Sequence, residues 1–530
     1  MGVCQRNNGC RDNFKKHMIM RLDNIKLNIN ESEDKLICIA RKKLSGNLRY
    51  FKILKKSLDA RDKSHLFWLY SIAFSDEKQE PKPPLDKLKN PPTVAIIGGG
   101  PAGLFCAVRL IERGFKPLII ERGESVEKRR ETIADFFENK RLNVNSNVQF
   151  GEGGAGAFSD GKLNTQTRDG LNRDVLETFC RFGAPEEILY LNKPHVGSDK
   201  LFYVLQNIRK FVTKNGGKYL FNSLFEGFSV KNGRICAICV KNSVTGATEE
   251  FIVENVVLAL GHSARDTFKM LHGLGVVMQP RDFAVGVRIE HIADEISRSQ
   301  YGKNFRMLPA ADYKFVSHAH ERTVFTFCMC PGGVVIPSAS EDGGVVTNGM
   351  SLYARDGINS NSALMVQMKA SDWGGGLFDG MEFQRKIEKS AFVAGGSNYG
   401  APVQLYGDFA KDRNSSAFRS VTPTYSAGTA FAPINEILPK IATDALKAAI
   451  PDIDRRLKGF ANPDAVLTAV ESRFSSPVRI LRDLITLESV SVKGLYPCGE
   501  GSGYSGGITS SAADGLKIAE IIYQICRNCM

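Results

Sequence analysis

The chain has 530 residues and a formal net charge of +13, with the apolar and charged fractions of an ordinary globular protein. This length exceeds one hydrophobic core and predicts about three domains. The sequence contains no apolar run of about 18 residues and no signal-peptide core, and its 12 cysteines lack disulfide-framework and zinc-site spacing. We therefore expect no membrane span and no metal, and a reducing compartment such as the cytoplasm.

The first structured region is predicted at 22–74, as a small α+β module. An alternating strand, a helix with a capping box and two more strands are indicated by Ile25, Leu27, Ile29, Asn30, Glu33, Leu36, Ile37, Ala40, Tyr50–Leu54 and Leu66–Phe74. Residues 1–21 are expected to be disordered or to form a leader to an organelle (mitochondrion or plastid). Residues 75–92 carry five prolines among charges and are predicted to be a semi-rigid linker.

Most of the positive charge lies in this N-terminal region. Up to Pro92 there are 20 Lys and Arg against 11 Asp and Glu, and beyond it 50 against 46. A basic module is typical of a solvated surface or of a surface that binds nucleic acid. We favour the solvated surface, and nothing in the sequence predicts a membrane partner or an oligomeric state.

The segment TVAIIGGGPAGLFCAVRLIERGFKPLIIE (93–121) has the pattern of a dinucleotide site. An apolar strand is followed by G-x-G-x-x-G and a helix. Gly98 would permit a tight turn, Gly100 would let backbone approach a pyrophosphate, and Gly103 would let the helix pack on the strand. Pro101 and Ala102 open the helix, whose free N–H groups and dipole attract a diphosphate.

An acidic residue and two arginines complete this predicted site. Glu121 ends the second strand 18 residues after Gly103, close to the spacing expected for a carboxylate on the ribose hydroxyls. Arg122 follows it directly. Arg130, in the next predicted helix, is a candidate for the diphosphate or for a solvent-exposed position.

A second strand–glycine–helix pattern lies at the C-terminus. The strand GLYPCGE (494–500) is followed by a glycine-rich turn and a helix. The predicted cofactor-binding residues here are Gly499, Glu500, Gly506, Gly507 and Ile508. A simple NAD dehydrogenase needs no second element of this kind. A flavoprotein does, because FAD extends across the domain and its flavin end must also be held, and a helix N-terminus there would stabilise the reduced flavin.

These motifs resemble the FAD-binding fold of the glutathione reductase type. More narrowly, they resemble the FAD-dependent dehydrogenases often named NAD(FAD)-utilizing dehydrogenases. The segments that carry the narrower resemblance are KKSLDAR (55–61), GEGGAGAFSDGKL (151–163), ALGHSARDTF (259–268), GVRIEH (286–291), CMCPGG (328–333), TNGMSLYARDG (347–357), ESRFSSPVRI (471–480) and GEGSGYSGGITSSAADG (499–515). The resemblance implies bound FAD and places the loop 151–163 beside the flavin, which adds Gly153, Gly154, Gly156 and Gly261 to the cofactor-binding residues.

The predicted fold class is therefore α/β. A Rossmann-like FAD-binding domain is expected to be discontinuous, at 93–273 and 490–530. Between its parts the pattern becomes irregular, with short strands and glycine-rich loops, so 274–489 is predicted to be an inserted mixed α+β substrate domain. No second G-x-G-x-x-G follows, so NADH or NADPH, if used, is expected to dock transiently over the ring.

The expected function is an FAD-dependent oxidoreductase that passes hydride or electrons through noncovalent flavin to a small-molecule substrate. Residues that could position an anionic substrate are Lys162, Arg265, Arg288, His291, Arg473 and Arg479, although each taken singly is more often a structural ion pair. His262, at a strand end, is a further candidate, for which a structural role is the default. Only Cys106 lies in the first helix, which argues against dithiol chemistry there, while Cys328 and Cys330 are expected to share one strand face. The alternatives are a flavin-dependent RNA-modifying enzyme and a non-catalytic FAD sensor.

Overall fold

The computed structural model describes residues 19–43, 50–75, 83–165, 167 and 169–529. The chain divides into two compact units, residues 1–83 with 190–192 and residues 84–189 with 193–530. Residues 1–18 of the predicted leader and 76–82 of the predicted linker lie outside the described residues. Within the described ranges, no helix combines the length and apolar character needed to cross a bilayer.

The smaller unit is a three-stranded antiparallel sheet with one helix. Its elements are β1 (Ile19–Asn28), α1 (Asp34–Lys43), β2 (Tyr50–Asp59) and β3 (Phe67–Ser75). The strand order is β1-β3-β2, and both pairings are antiparallel. Leu27, Leu36 and Ile72 are buried in its core, because alternate strand residues face the apolar side of the helix.

The larger unit begins with alternating strands and helices. They are β4 (Val94–Ile97), α2 (Pro101–Glu112), β5 (Leu118–Ile120), α3 (Val126–Asn139), α4 (Asn172–Arg181), α5 (Ser198–Lys214), β6 (Lys218–Leu220), β7 (Ser223–Lys231), β8 (Arg234–Asn242), β9 (Thr248–Ile252), β10 (Asn255–Leu258) and α6 (Arg265–Gly273). Val253 and Glu254 separate β9 from β10.

The second half of this unit is richer in strands. Its elements are β11 (Met278–Pro280), β12 (Phe283–Ile292), α7 (Ala293–Tyr301), β13 (Val316–Ser317), β14 (Val324–Cys330), β15 (Val334–Pro337), β16 (Thr347–Met350), β17 (Asn359–Met368), α8 (Ala370–Trp373), α9 (Asp379–Ala394), β18 (Ala401–Leu405), α10 (Tyr406–Phe409), β19 (Thr429–Phe431), α11 (Lys440–Asp454), β20 (Val466–Glu471), β21 (Val478–Ile480), β22 (Leu495–Pro497) and α12 (Ile508–Cys529).

A five-stranded parallel sheet carries the first glycine motif. Its strand order is β22-β10-β4-β5-β6. The strands are short and apolar because both faces are covered, one of them by α2 and α12. The C-terminal strand β22 thus joins a sheet whose central strand β4 lies about 400 residues earlier in the chain. This is a Rossmann-like arrangement completed by the chain terminus.

The segment between these parts forms a seven-stranded sheet. Its order is β13-β14-β17-β12-β20-β18-β19, antiparallel except for the β18–β19 pair. The strands β12 and β17 are each ten residues long and pair along their whole length. The prediction of irregular short strands was therefore wrong here. Both strands are buried on both faces, so the alternation that marks a half-exposed strand is missing.

Candidate functional site

A cavity of about 490 Å³ lies beside the carboxyl ends of β4 and β10. This is the edge of an open parallel sheet where ligands bind, and the volume is in the range of ligand pockets. Segments that are remote in sequence line it, among them the first glycine loop, the loop 149–165, residues around Gly261, residues around Glu500, and residues 326–329 of β14.

The first glycine loop is built by close backbone approaches. Gly98 has a φ of +107°, and a Cβ there would lie 2.3 Å from the carbonyl oxygen of Ala259. A Cβ on Gly103 would lie 2.0 Å from the carbonyl oxygen of Gly98. Gly100 differs, because the nearest atom to its Cβ position is 3.8 Å away and the residue lines the cavity. No side chain caps α2, so its first-turn N–H groups face this space.

Glu121 lines the cavity but is already held by backbone. Its carboxylate accepts hydrogen bonds from the N–H groups of Gly99 (2.6 Å), Gly123 (2.9 Å) and Gly151 (2.9 Å). The side chain is buried. It therefore ties the glycine loop to the loop that begins at Gly151, a role that the spacing alone did not reveal.

The loop 151–163 lies between the two predicted glycine motifs. The N–H of Gly153 donates to the carbonyl of Gly99 at 2.8 Å. A Cβ on Gly154 would lie 3.1 Å from the Cα of Gly100, and one on Gly156 would lie 3.1 Å from Ile508. Gly154 and Gly156 line the cavity, whereas Gly153 packs beneath it.

The C-terminal motif reaches the same cavity. A Cβ on Gly499 would lie 2.8 Å from that of Ala102, so this glycine allows the two motifs to pack together. Gly506 and Gly507 have no atom within 4 Å of their Cβ positions and open the N-terminus of α12 toward the cavity, followed by Ile508. Both glycine-bearing segments therefore meet at one space.

Glu500 pairs with a histidine. Its Oε2 lies 2.7 Å from Nδ1 of His262 and accepts the His262 N–H at 3.2 Å, while its Oε1 accepts the N–H of Ser476. Both residues line the cavity. The Nε2 atom of His262 is buried and has no hydrogen-bond partner in the protein, which leaves it available to a bound molecule.

The two predicted arginines of the nucleotide end are placed differently. Arg122 lines the cavity, stacks over Phe150 at 4.5 Å and pairs with Asp266 at 2.7 Å. Arg130 is exposed over Phe202 and does not line the cavity, so its assignment to the cofactor was wrong.

The neighbouring Arg129 is the structural arginine of this helix. It is fully buried and donates to the carbonyls of Asn147, Val148 and Glu152. Arg129 and Arg130 are adjacent in the sequence, but one lies on the buried face of α3 and the other on its exposed face. The sequence does not show which of the two arginines faces inward.

Three of the seven candidate catalytic residues line the cavity: Lys162, His262 and Arg473. Lys162 donates to the carbonyl of Met329 and lies 3.2 Å from Asp160. Arg473 is bound by both oxygens of Glu388, which is also bound by Arg265. Despite burial, these two guanidinium groups lower the pKa of Glu388 well below its usual value.

The other four candidates lie away from the cavity. Arg265 belongs to the Glu388 cluster, Arg288 is fully buried on Glu471 at 2.9 Å, and Arg479 donates to a backbone carbonyl. His291 is buried against the carbonyl of Phe460, and burial lowers its pKa to about 4. These residues are structural ion pairs or core contacts, and their assignment as substrate-binding residues was wrong.

The sequence missed most of the wall opposite the glycine loops. These lining residues are Thr326, Phe327, Cys328, Met329, Asn348, Glu471 and Phe474. The segments CMCPGG, TNGMSLYARDG and ESRFSSPVRI marked part of this wall, but only strand pairing across the sheet brings them together. Among the described residues, no group of side chains could hold a metal ion.

The cavity fits an extended dinucleotide. An uncapped helix N-terminus and the open Gly100 position suit a diphosphate at one end. The N-terminus of α12 offers N–H donors, and the Nε2 atom of His262 is a further polar atom without a partner in the protein. Loop 151–163 lies between the two glycine motifs, and part of it lines the cavity.

Two family models match this chain. One, described as "Pyridine nucleotide-disulphide oxidoreductase", covers residues 92–300, and the other, "FAD-dependent protein, C-terminal domain-like", covers residues 282–474. They correspond to the glycine-motif half and the seven-stranded sheet. Together they show an FAD-dependent oxidoreductase that holds FAD.

The solved structures that match this chain are distant. A flavoprotein/dehydrogenase from Cytophaga hutchinsonii is 11% identical (TM-score 0.36; 82% of this chain, 79% of that chain). The flavin-dependent brominase Bmp2 is 13% identical (TM-score 0.38; 82% and 79%). The glycerol-3-phosphate dehydrogenase from Bacillus halodurans, complexed with FAD, is 12% identical (TM-score 0.31; 83% and 66%). Likeness at this level carries no argument about substrate.

A full-length relative is much nearer. A protein of Clostridium beijerinckii, described as an uncharacterized protein, is 44% identical over 536 residues, which are 96% of this chain and 99% of that protein. The chain belongs to the family of this clostridial protein and, as its two matching models show, to the FAD/NAD(P)-binding oxidoreductase superfamily, with FAD as its cofactor.

Proposed function

We propose that the chain is a dehydrogenase or reductase that passes hydride or electrons through noncovalent FAD to a small-molecule substrate, as a member of the group often named NAD(FAD)-utilizing dehydrogenases. One observation carries the proposal. The first glycine motif and the C-terminal motif open onto the same cavity, and residues of the seven-stranded sheet, among them 326–329 of β14, form the opposite wall.

The two helix N-termini hold the two ends of the cofactor. The first turn of α2, with Gly100 and Ala102, binds the diphosphate through backbone N–H groups. The N-terminus of α12, preceded by Gly506 and Gly507, lies at the flavin end, where its positive dipole favours negative charge. When bound, the flavin supplies the two-electron chemistry.

The wall beneath β14 holds the substrate. Phe327 and Phe474 pack edge to face, with centroids 4.4 Å apart, and exclude water from this side of the cavity. Lys162 places a cation beside them, since its ammonium lies on the carbonyl of Met329. His262, held by Glu500, keeps its Nε2 free to donate or accept one proton.

A substitution at Gly100 tests cofactor binding. Gly100→Val is expected to fold and purify colourless, because its Cβ meets no atom nearer than 3.8 Å while the added methyl groups fill the diphosphate space. The wild type is expected to absorb near about 450 nm, as flavins do. Gly273→Val is the matched control, since that exposed glycine also has open space around it and does not line the cavity.

Turnover is tested separately by anaerobic mixing of the yellow protein with NADH and with NADPH. We expect one of the two nucleotides to reduce the flavin, seen as a loss of its absorbance, within the dead time of mixing or within seconds after it. A yellow Gly100→Val protein would contradict the proposed diphosphate site. A flavin that neither nucleotide reduces would contradict a nicotinamide-linked dehydrogenase.

A further inference from the structure

Two cysteines on β14 lie at the substrate wall. The strand is irregular between Phe327 and Cys330, and Cys328 has a φ of +42°, a left-handed conformation that costs energy in a residue with a side chain. The expectation that both share one regular strand face was therefore wrong. Cys328 is half-buried and lines the cavity, whereas Cys330 is fully buried behind it.

Two cations from separate elements lie beside this pair. Arg288 on β12 donates to the carbonyl oxygen of Cys328 at 2.8 Å, and Lys162 donates to the carbonyl of Met329. The carboxylates that face the group are Glu471, paired with Arg288 at 2.9 Å, and Asp160, which lies 3.2 Å from Lys162.

The two cysteines are in contact. The Cys330 thiol donates a hydrogen bond to the backbone carbonyl oxygen of Cys328 at 3.2 Å. Hydrogen bonding between the two side chains, with the positive charges of Arg288 and Lys162, lowers the pKa of Cys328 against the opposing effect of burial. The same contact and burial raise the pKa of Cys330. The pair therefore favours a thiolate on the cavity side and a thiol behind it.

We propose that Cys328 and Cys330 form a thiol–disulfide exchange site in the wall of the cavity, with Cys328 as the nucleophile, Cys330 as the resolving thiol and a disulfide as the substrate class. The proposal goes beyond the flavin chemistry, because the exchange itself needs no flavin.

The exchange has two steps. The Cys328 thiolate attacks one sulfur of the disulfide, so that a mixed disulfide forms and the other sulfur leaves as a thiolate. Cys330 then loses its proton to that leaving group or to solvent and attacks the Cys328 sulfur. A Cys328–Cys330 disulfide forms, the second half of the substrate leaves as a thiolate, and the substrate has gained the two electrons that the protein has lost.

The cavity contains its own control thiol. Cys498 also lines it, but burial and the nearby carboxylate of Asp514 raise its pKa well above the usual value. Cys38, in the smaller unit, is an exposed thiol that serves as the reference.

The nucleophile is tested on the purified, flavin-containing full chain. Iodoacetamide is added at pH 7, and the alkylation of each cysteine is followed by peptide mass spectrometry. We expect Cys328 to react about tenfold faster than Cys38, because more of it is thiolate at this pH, and Cys498 to react slowest. Alkylation of Cys328 no faster than that of Cys38 would overturn the proposal, whether or not the flavin is reducible.

The resolving role is tested with glutathione disulfide. In the wild type, we expect a disulfide between Cys328 and Cys330. Cys330→Ser should stop at a glutathione adduct on Cys328, and Cys328→Ser should give neither product. If the Cys330→Ser protein does not fold, the Cys330→Ala protein is treated with glutathione disulfide and analysed in the same way. A wild type that keeps both thiols, or glutathione on Cys498 at the same rate, would overturn the assignment.

Discussion

The two ends of the cavity are held together by different kinds of contact. The nucleotide end is made of backbone, because Gly98 and Gly103 bring main chain to within contact distance of main chain. The substrate end is held by buried charge, in which Arg288 pairs with Glu471 and Glu388 receives two guanidinium groups. A backbone site depends on local residues, whereas a charge network depends on partners that the fold supplies.

The difference has an energetic consequence. Substitution of Gly98 or Gly103 at the nucleotide end adds atoms where there is no space, which is a packing cost. Removal of one partner from a buried ion pair leaves an uncompensated charge in the interior, which costs more. We therefore expect the substrate end to be the more fragile of the two, and the following substitutions test that order.

The largest effect is expected for Glu388→Gln. This substitution removes the buried carboxylate that both Arg265 and Arg473 contact and leaves Glu341 as the acidic partner nearby, and we expect the free energy of unfolding to fall by about 3 to 5 kcal/mol, as for a broken buried pair. Urea unfolding followed by fluorescence measures it. Glu382→Gln on the same helix is the control, since Glu382 is half-exposed on Lys269 and Arg385 and should cost at most about 1 kcal/mol. If both variants lose the same free energy of unfolding, the substrate end is not the more fragile of the two.

The next effect depends on pH and concerns His291. Burial lowers its pKa to about 4, so the folded protein keeps the ring neutral while the unfolded chain takes up a proton near 6.5. The contribution of His291 to the free energy of unfolding is fully present above pH 6.5. It is lost as the pH falls toward 4, by about 3 kcal/mol in total. We expect His291→Phe to reduce the acid-induced loss by that amount, measured as the change in unfolding free energy between pH 7 and pH 4.

The exposed His318 offers the comparison for this measurement. His318→Gln should leave the pH dependence as it is in the wild type. If His291→Phe also leaves it unchanged, the buried histidine does not contribute to acid sensitivity, and the seven-stranded sheet loses one of its expected weak points.

The smallest effect is expected for Gly103→Ala at the nucleotide end. The new Cβ would lie 2.0 Å from the carbonyl oxygen of Gly98, so α2 must shift, at a cost of about 1 to 3 kcal/mol. Gly100→Ala has open space and should change thermal stability little. A Gly103→Ala loss as large as that of Glu388→Gln would reverse the proposed order of the two ends.

The same division explains what could be predicted. The strand, turn and helix around Gly98 follow from residues within a 29-residue segment, and the FAD assignment follows from that segment together with the C-terminal one. Arg130 was chosen instead of its neighbour because a single register step on α3 separates solvent from core, and sequence spacing does not fix that step. The seven-stranded sheet was missed because its strands are buried on both faces and carry no alternation.

The sequence by itself determined the cofactor and the local shape of its cradle, since a glycine at a positive φ and an uncapped helix start are properties of a short segment. Only the tertiary structure decided which charges are buried, which arginines are already paired and which cysteines face the cavity. The physical reason is that these properties arise between residues such as Arg288 and Glu471, 183 positions apart in the chain, and are set by strand register and desolvation.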